Sequence, residues 1–169
     1  MPEQFLHGVE VVQIEDGIRA IATATASVIA IVGTAPDATE DDYPYDTPVH
    51  IAGPRQAALL GDGGTLKDAY QAVYAQGVSD LVVIRVEVGA DDAATKANVV
   101  GDATELTGVF AIETAPSVLG MTPRILAAPG FATAATGAVE TVISNLLTVA
   151  GKSRAVVVAD GPNTTEADA

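Results

Sequence analysis

Cysteine and tryptophan are absent from the 169-residue chain. Without thiols there are neither disulfide bonds nor thiolate metal ligands. Cysteine usage therefore does not indicate the redox compartment of the protein. Aromatic residues make up 4% of the chain, too few rings to form a stacking platform for bases or sugars. The two histidines, His7 and His50, lie in different predicted elements, with no partner at metal-ligand spacing. We therefore expect no catalytic residue, no metal ligand and no cofactor.

Positive charge is also scarce. Eight Lys and Arg residues stand against 22 Asp and Glu residues, which gives a formal net charge of −14. Such a surface repels a phosphate backbone, so we expect no nucleic-acid partner. Apolar residues reach 49%, yet charged residues interrupt every window long enough to cross a bilayer, and the N-terminus lacks the layout of a secretory signal. We expect no membrane partner either.

Phosphate-binding and nucleophile motifs are incomplete. Residues 31–36 carry one glycine where a dinucleotide fingerprint needs three. Residues 61–64, Gly-Asp-Gly-Gly, precede a predicted helix but lack the Gly-Lys-Ser/Thr that places a lysine on phosphates. No Gly-x-Ser-x-Gly elbow occurs. A doubly wound α/β domain that binds a nucleotide or another small molecule, or an enzyme of that type, remains the alternative interpretation.

Apolar runs of strand length recur between turn residues. Two runs, residues 27–32 and 81–88, are typical of strands buried on both faces, and in the second we expect Arg85 and Glu87 to point outward. The acidic, proline-containing segment 37–48 reads as an exposed loop, without the ligand pattern of an EF-hand. The predicted strands are residues 27–32, 49–52, 81–88, 123–128 and 154–159.

Helical periodicity appears between these strands. After Thr65-x-x-Asp68, which resembles a capping box, apolar residues recur at helical spacing until Gly77. A shorter helical stretch is predicted at residues 107–115. A third helix begins at Thr136, and Gly151 lies where a C-cap is expected. The predicted core-facing positions of the first and third helices are Leu66, Ala69, Tyr70, Val73 and Tyr74, and Val139, Val142, Ile143, Leu146, Leu147 and Ala150.

Strands separated by helices of this length predict right-handed crossovers. We therefore expect an α/β fold, in which a mainly parallel sheet carries helices on both faces. At the end of the sequence, Thr165-x-x-Asp168 has the form of a helix cap with no helix after it. A fragment, a shortened variant and a disordered tail all explain these last residues.

The N-terminal segment has a different pattern. Two short extended pieces, residues 9–14 and 18–22, flank Asp16-Gly17, a strong turn signal. Apolar side chains lie on both faces of the first piece, and a two-stranded ribbon alone is marginal in water. The ribbon needs another surface, either its own domain or the sheet edge of a neighbouring molecule. The candidate intersubunit arm residues are Val9, Val11, Val12, Ile14, Ile18 and Ile21.

Several segments resemble the contractile tail sheath family of phages and phage-derived bacteriocins. Each is ordinary alone, but their order and spacing cover nearly the whole chain. They are His7-Gly8-Val9-Glu10-Val11-Val12, Asp16-Gly17-Ile18-Arg19-Ala20-Ile21, Thr25-Ala26-Ser27-Val28-Ile29-Ala30-Ile31-Val32-Gly33-Thr34-Ala35-Pro36, Val83-Ile84-Arg85-Val86 and Gly120-Met121-Thr122-Pro123-Arg124-Ile125-Leu126-Ala127-Ala128-Pro129-Gly130-Phe131.

The resemblance implies a structural protein of the virion, assembled in the bacterial host cytoplasm, rather than an enzyme. Subunits of this family stack as hexameric rings around an inner tail tube above a baseplate, and their arms add strands to neighbouring subunits. By this resemblance residues 1–24 form the arm and linker, and residues 25–169 form the α/β domain, which in some members has a subtilisin-like topology. The family's C-terminal tube-binding domain has no counterpart in this sequence, which puts tube binding in doubt.

Overall fold

The structure is a computed structural model, which describes residues 28–77, 80–133 and 141–161. In these residues, five strands form one sheet in the order β2-β3-β1-β4-β5. β1 pairs in parallel with both β3 and β4, β4 pairs in parallel with β5, and β2 runs antiparallel to β3. The predicted mainly parallel sheet is confirmed. The strands are β1 (Ile29–Thr34), β2 (Pro48–Ile51), β3 (Leu81–Val86), β4 (Ile125–Ala127) and β5 (Val156–Val158).

Helices connect these strands. A 3₁₀ helix, Ala58–Leu60, continues the first helix, and a longer one, Gly108–Thr114, leads into the fourth. Within the described residues, no helix has the length and apolar character needed to cross a membrane. The α-helices are α1 (Pro54–Ala57), α2 (Leu66–Ala75), α3 (Asp92–Val100), α4 (Ala115–Leu119) and α5 (Thr141–Ser153).

Both faces of the central strands are buried, and alternate residues serve two separate cores. On β1, Ala30 and Val32 join a core with α3, α5 and the longer 3₁₀ helix, whereas Ile31 joins a core with α1 and α2. β3 divides its residues in the same way. The alternation follows from the period of two along a strand. It explains why residues 28–32 and 81–84 are apolar without interruption.

Arg85 does not point outward as predicted. Its side chain is 4% exposed, with the guanidinium 4.2 Å from the ring centre of Tyr45. Nη1 donates to the carbonyl oxygen of Tyr43 at 3.0 Å, and Nη2 donates to the hydroxyl of Tyr45 at 3.1 Å. The expectation was wrong because the acidic segment 37–48 packs over this part of β3 and supplies both acceptors. Glu87 lies after the end of the strand and is exposed.

The acidic segment is therefore only partly exposed. Asp41 and Asp42 face solvent, but Tyr43 between them and β2 is 2% exposed and donates its hydroxyl to the carbonyl oxygen of Gln56 at 2.8 Å. The acidic residues of the segment predict exposure to solvent, and the buried phenol of Tyr43 is a local exception. Tyr43 thus ties the loop to α1.

The helix α3 was not predicted from the sequence. The side chain of Asp91 accepts a hydrogen bond from the Ala94 amide at 2.7 Å, and Gly101 ends the helix with a φ of 63°. Thr95 and Val99 are its buried residues. Asp91 and Gly101 are start and end signals of a helix in the sequence. The apolar periodicity between them is too weak to indicate the helix. The helical prediction at 107–115 is confirmed, with Gly108–Thr114 in 3₁₀ geometry.

α5 is confirmed with two corrections. The helix continues through Gly151 to Ser153 and is followed by Arg154 at a φ of 54°. Leu147 is 54% exposed, so its predicted place in the core was wrong, whereas Val142 and Leu146 are fully buried. The buried stripe of α5 is narrower than expected, because the helix places Val149 rather than Leu147 at the next position that faces the core. The predicted start at Thr136 and the residue Val139 lie outside the described residues.

The contrast between two adjacent leucines gives the first prediction. Leu146→Ala should lower the free energy of unfolding by about 2–5 kcal/mol, because it leaves a cavity under α5. Leu147→Ala is the matched control and should change it by no more than about 0.5 kcal/mol, since most of that side chain is already in water. Urea unfolding followed by circular dichroism measures both. Equal losses in the two variants would contradict the assigned helix face.

The buried phenol of Tyr43 predicts a pH dependence at high pH. Burial, with the charge of Asp42 and the phenol of Tyr70 nearby, raises the pKa of Tyr43 to about 12. The folded state therefore holds this proton more tightly than the unfolded chain, where the pKa is about 10. The resulting stability is fully present below pH 10 and is lost as the pH rises towards 12, by up to roughly 3 kcal/mol.

Urea unfolding at about pH 8 and about pH 11 tests this dependence. Tyr43→Phe should cost about 0.5–1.5 kcal/mol at the lower pH, because the bond to Gln56 is lost. It should also flatten the decline at the higher pH. Burial raises the pKa of Tyr70 as well, so a residual slope is expected. An unchanged slope in Tyr43→Phe would show that Tyr43 is not the titrating group.

Candidate assembly surfaces

The predicted arm residues, Val9, Val11, Val12, Ile14, Ile18 and Ile21, lie outside the described residues, so their role stays a prediction. The described domain begins at Val28, which is 1% exposed. The carbonyl oxygen of Val28 accepts hydrogen bonds from the amides of Arg124 at 2.9 Å and Ile125 at 3.3 Å. The chain therefore enters the domain at the amino end of β1, tied to the start of β4.

The carboxyl ends of the parallel strands are where open α/β sheets bind ligands. Here the order of strands reverses at β1, so the crevice beyond Thr34 is the place to look. The glycine-containing loop 61–64 lies against this end of β1. The carboxylate of Asp37 accepts the amides of Gly63 at 2.8 Å and Asp62 at 3.2 Å. The carboxylate of Asp37 thus accepts hydrogen bonds from the backbone amides that would otherwise be available to a phosphate.

The polar groups at the start of α2 are likewise hydrogen-bonded within the chain. The hydroxyl of Thr65 accepts the amide of Thr34 at 3.2 Å, and the amide of Thr65 donates to the carbonyl of Thr34 at 2.9 Å. The capping-box expectation is therefore corrected: Thr65 occupies the N-cap position, but its side chain is bonded to β1 and not to α2. Gly64, with a φ of 84°, allows this approach, since a side chain there would meet the Thr34 carbonyl.

Beside this loop, an open cleft of about 340 Å³ is lined by Asp92, Lys96, Gly130, Phe131 and Thr133. It combines one acidic, one basic and one aromatic side chain. The part of the chain that the structure describes contains no group of three or more His, Asp or Glu residues arranged to hold a metal ion. The cleft has mixed chemistry and no organised ligand set.

His50 has a carboxylate partner but no nucleophile bonded to it among the described residues. Its Nε2 lies 3.2 Å from Oδ1 of Asp80, and both side chains are partly exposed. His50 lies on β2 opposite Val82 of β3, while Asp80 immediately precedes β3. The pair therefore links the antiparallel edge strand to its neighbour, and a structural role accounts for it. His7 lies outside the described residues.

The carboxylates of the acidic segment act as acceptors for backbone amides. Asp37 holds the loop before α2, as described above. Asp46, at a φ of 51°, accepts the amide of Gly108 at 2.7 Å and so connects the segment to the longer 3₁₀ helix. Asp37 and Asp46 each order a part of the backbone, and the segment thus supports the fold on both sides of the sheet.

The open edge of β5 is the first exposed apolar surface. Val156 is 65% exposed and Val158 is 54% exposed, whereas Val157 between them packs against the α5 side of the sheet. Among the described residues β5 pairs with β4 alone. The strand itself was predicted from the sequence at residues 154–159, but its exposed face was not.

A groove between α1 and α2 is the second exposed apolar surface. It has a volume of about 350 Å³ and is lined mainly by Pro54, Ala57, Ala58 and the stacked rings of Tyr70 and Tyr74, whose centres are 5.5 Å apart. The buried hydroxyl of Tyr70 has no hydrogen-bond partner among the residues that the structure describes. Tyr74, predicted to face the core, is 46% exposed and forms the rim.

Comparison with known proteins identifies relatives, although no family model matches the chain. The tail sheath protein of Escherichia phage P2 is 38% identical over 137 residues, which is 75% of this chain and 35% of the relative. The major tail sheath protein of Serratia phage KSP20 is 34% identical over 79% of this chain and 36% of its own length.

A Pseudomonas aeruginosa protein (strain UCBPP-PA14), named as a prophage major tail sheath protein, is 32% identical over 166 residues, or 96% of this chain and 42% of its own length. The chain thus spans less than half the length of each of these relatives. Their similarity covers most of this chain and confirms the resemblance drawn from its residues. The chain is a relative of the tail sheath proteins of bacteriophages.

Proposed function

We propose that this chain is a structural subunit of a contractile tail sheath, which assembles with identical subunits around an inner tail tube. The single observation that carries the proposal is the similarity to tail sheath proteins over most of the chain. The geometry agrees with a structural role, because Asp37 and Thr65 already satisfy the polar groups at the carboxyl end of β1. Two exposed surfaces of the described domain, the face of β5 and the groove between α1 and α2, are apolar.

In this proposal the segment 1–24 is an intersubunit arm and linker, and residues 25–169 form the α/β domain. The arm adds its strand to the sheet of a neighbouring subunit, as expected for a ribbon with apolar side chains on both faces. Subunits form hexameric rings stacked into a helical sheath, and the full-length protein contacts the tail tube and the baseplate. The sheath belongs to the virion and assembles in the host cytoplasm.

The proposal also assigns no enzymatic activity to the chain. We expect neither ATP nor inorganic phosphate, each at about 1 mM, to raise the melting temperature of the native chain, since a ligand stabilises only by binding the folded state. Differential scanning fluorimetry measures the shift. Saturable nucleotide binding at micromolar affinity would favour the alternative, a doubly wound nucleotide-binding domain.

Asp37→Ala sharpens that test. Removing the carboxylate takes away its two exposed hydrogen bonds to the amides of Asp62 and Gly63, and it should lower the free energy of unfolding by about 0.5–1.5 kcal/mol. Asp41→Ala is the matched control, because Asp41 is an exposed carboxylate in the same segment. Its loss should be no more than about 0.5 kcal/mol. Equal effects would mean that the Asp37 contacts contribute nothing specific.

The arm is tested by deleting residues 1–22. The remaining domain should keep its circular dichroism spectrum and cooperative unfolding, but it should no longer form the ordered polymers of the full chain in negative-stain electron microscopy. The expected loss follows from removing main-chain hydrogen bonds of about 0.5–1.5 kcal/mol each, repeated across identical subunits.

A pair of substitutions controls for the deletion. Val12→Asp places a charge on an apolar face of the arm and should abolish assembly, whereas Gln13→Asp adds the same charge at a polar position and should leave it intact. If the deletion unfolds the domain, the ribbon belongs to its own core and the arm assignment is wrong. Assembly that survives both the deletion and Val12→Asp would also overturn it.

A further inference from the structure

The inference concerns the peptide bond between Asp62 and Gly63, in the loop that leads into α2. An Asp-Gly bond is prone to spontaneous rearrangement, because glycine has no side chain to keep its amide nitrogen away from the preceding carboxyl group. The side chain of Asp62 is 94% exposed, and a glycine stands on either side of it. Burial therefore gives this bond no protection.

The rearrangement needs only groups of the chain and water. The nitrogen of Gly63 attacks Cγ of Asp62, an N–C bond forms, and the amide proton leaves with the carboxyl hydroxyl as water. Water then adds back to one of the two carbonyls of the succinimide ring. Opening at the former side-chain carbonyl restores aspartate. Opening at the main-chain carbonyl gives isoaspartate, whose backbone runs through Cβ and Cγ.

Glycine at position 63 is required by the packing of the loop. A Cβ at this position would lie 2.9 Å from Oδ2 of Asp37 and 2.9 Å from the ring of Pro36, too close for either contact. The loop therefore approaches the end of β1 in this way only with glycine here. The packing thus retains the residue that makes the bond reactive.

Asp37 restrains the two amides that flank the Cα atom of Asp62. Its Oδ2 accepts the amide of Gly63 at 2.8 Å and the amide of Asp62 at 3.2 Å. To attack Cγ, the nitrogen of Gly63 has to turn away from Asp37 and lose its proton. Turning breaks the hydrogen bond, and a negative nitrogen beside a carboxylate is unfavourable because like charges repel.

Lys67, in the first turn of α2, restrains the carboxyl group itself. Its Nζ donates to Oδ1 of Asp62. This hydrogen bond, together with the charge of the ammonium group, lowers the pKa of the Asp62 carboxyl. The protonated carboxyl is the form that loses its hydroxyl as water, so Lys67 depletes the reactive form.

We propose that Asp62–Gly63 is a latent site of isoaspartate formation, which Asp37 keeps unreactive with Lys67 as a second restraint. Isoaspartate here would add a main-chain atom shortly before Thr65, whose contacts with Thr34 join α2 to β1. The restraint preserves that junction over the lifetime of the protein. The proposal is independent of the assembly described above.

Ageing the full chain at neutral pH and physiological temperature tests the proposal. Trypsin releases residues 56–67 as one peptide, in which chromatography separates isoaspartate from aspartate and electron-transfer fragmentation assigns the position. Isoaspartate should form at least about tenfold more slowly in the native chain than in the chain unfolded in guanidinium chloride, since two hydrogen bonds have to open. Equal rates in the two states would overturn the proposal.

Asp37→Ala removes the acceptor and should accelerate the rearrangement in the folded chain at least about twofold. Asp37→Asn keeps a side-chain oxygen for the amides and should stay closer to the native rate. Asp41→Ala, which removes an exposed carboxylate from the same segment, should leave the rate unchanged. A native rate in Asp37→Ala would contradict the restraint.

Leu146→Ala separates local restraint from global stability. This variant weakens the core on the opposite face of the sheet from α2 and leaves the contacts of Asp37 in place. The rate at Asp62 should therefore stay at its native value, while circular dichroism confirms that each variant remains folded. Acceleration in Leu146→Ala as large as in Asp37→Ala would assign the reaction to unfolding of the whole domain and overturn the role of Asp37.

Lys67→Met keeps the apolar stem of the side chain and removes its charge. It should accelerate the rearrangement while Asp37 is present, and the variant that combines it with Asp37→Ala should react faster than either single variant. Because this variant lacks the tryptic site at Lys67, position 62 is followed in the peptide 56–85. A native rate in Lys67→Met would overturn the part assigned to Lys67.

Discussion

The fold depends on the central strand β1, which is hydrogen-bonded on both edges and buried on both faces. Its neighbours β3 and β4 have the register of a parallel sheet, and the two cores are separated by its alternating side chains. A parallel sheet is stable only when apolar layers cover both faces, because its strands carry apolar residues at every position. This requirement determines where α2 and α5 pack. The position of α2 in turn determines where the loops that follow β1 lie.

This constraint also explains why the carboxyl end of β1 is closed. Packing α2 against β1 brings the loop 61–64 to a crevice where related architectures hold a ligand. The amides of Asp62 and Gly63 lie at the exposed rim of that crevice, where an anion could accept from both. Asp37 supplies the acceptor from within the chain. The chain therefore obtains locally, as a structural contact, the charge complementarity that a bound phosphate would provide elsewhere.

The elements that could be predicted from sequence are those with strong periodicity. β1 and β3 follow from uninterrupted apolar runs, and α2 and α5 follow from apolar residues at helical spacing. The errors arise where tertiary contacts override local patterns. Arg85 was expected in water, but Tyr43 and Tyr45 provide acceptors and a ring for its guanidinium. The weak apolar stripe of α3 hid that helix, although Asp91 caps its start.

Sites are harder to predict than elements because they depend on residues distant in sequence. The contact of Asp37 with Gly63 joins positions 26 residues apart, and no spacing rule indicates it. The exposed face of β5 was missed for the opposite reason. Local sequence describes what a strand can bury, whereas exposure depends on which elements pack against it. The three valines predict a strand, and only the packing of the described residues shows that Val156 and Val158 are exposed.

The charge of the chain limits how copies can associate. With a formal charge of −14, two copies repel each other at long range, and general electrostatic attraction cannot hold them together. Of the few basic residues, Arg85 is bonded within the fold, and Arg124 donates to the carbonyl of Ser153 at 2.5 Å. Association therefore has to rely on short-range forces: main-chain hydrogen bonds, apolar contact and individually placed charge pairs. Strand addition combines all three, and salt weakens the repulsion that opposes it while leaving the backbone bonds unaffected.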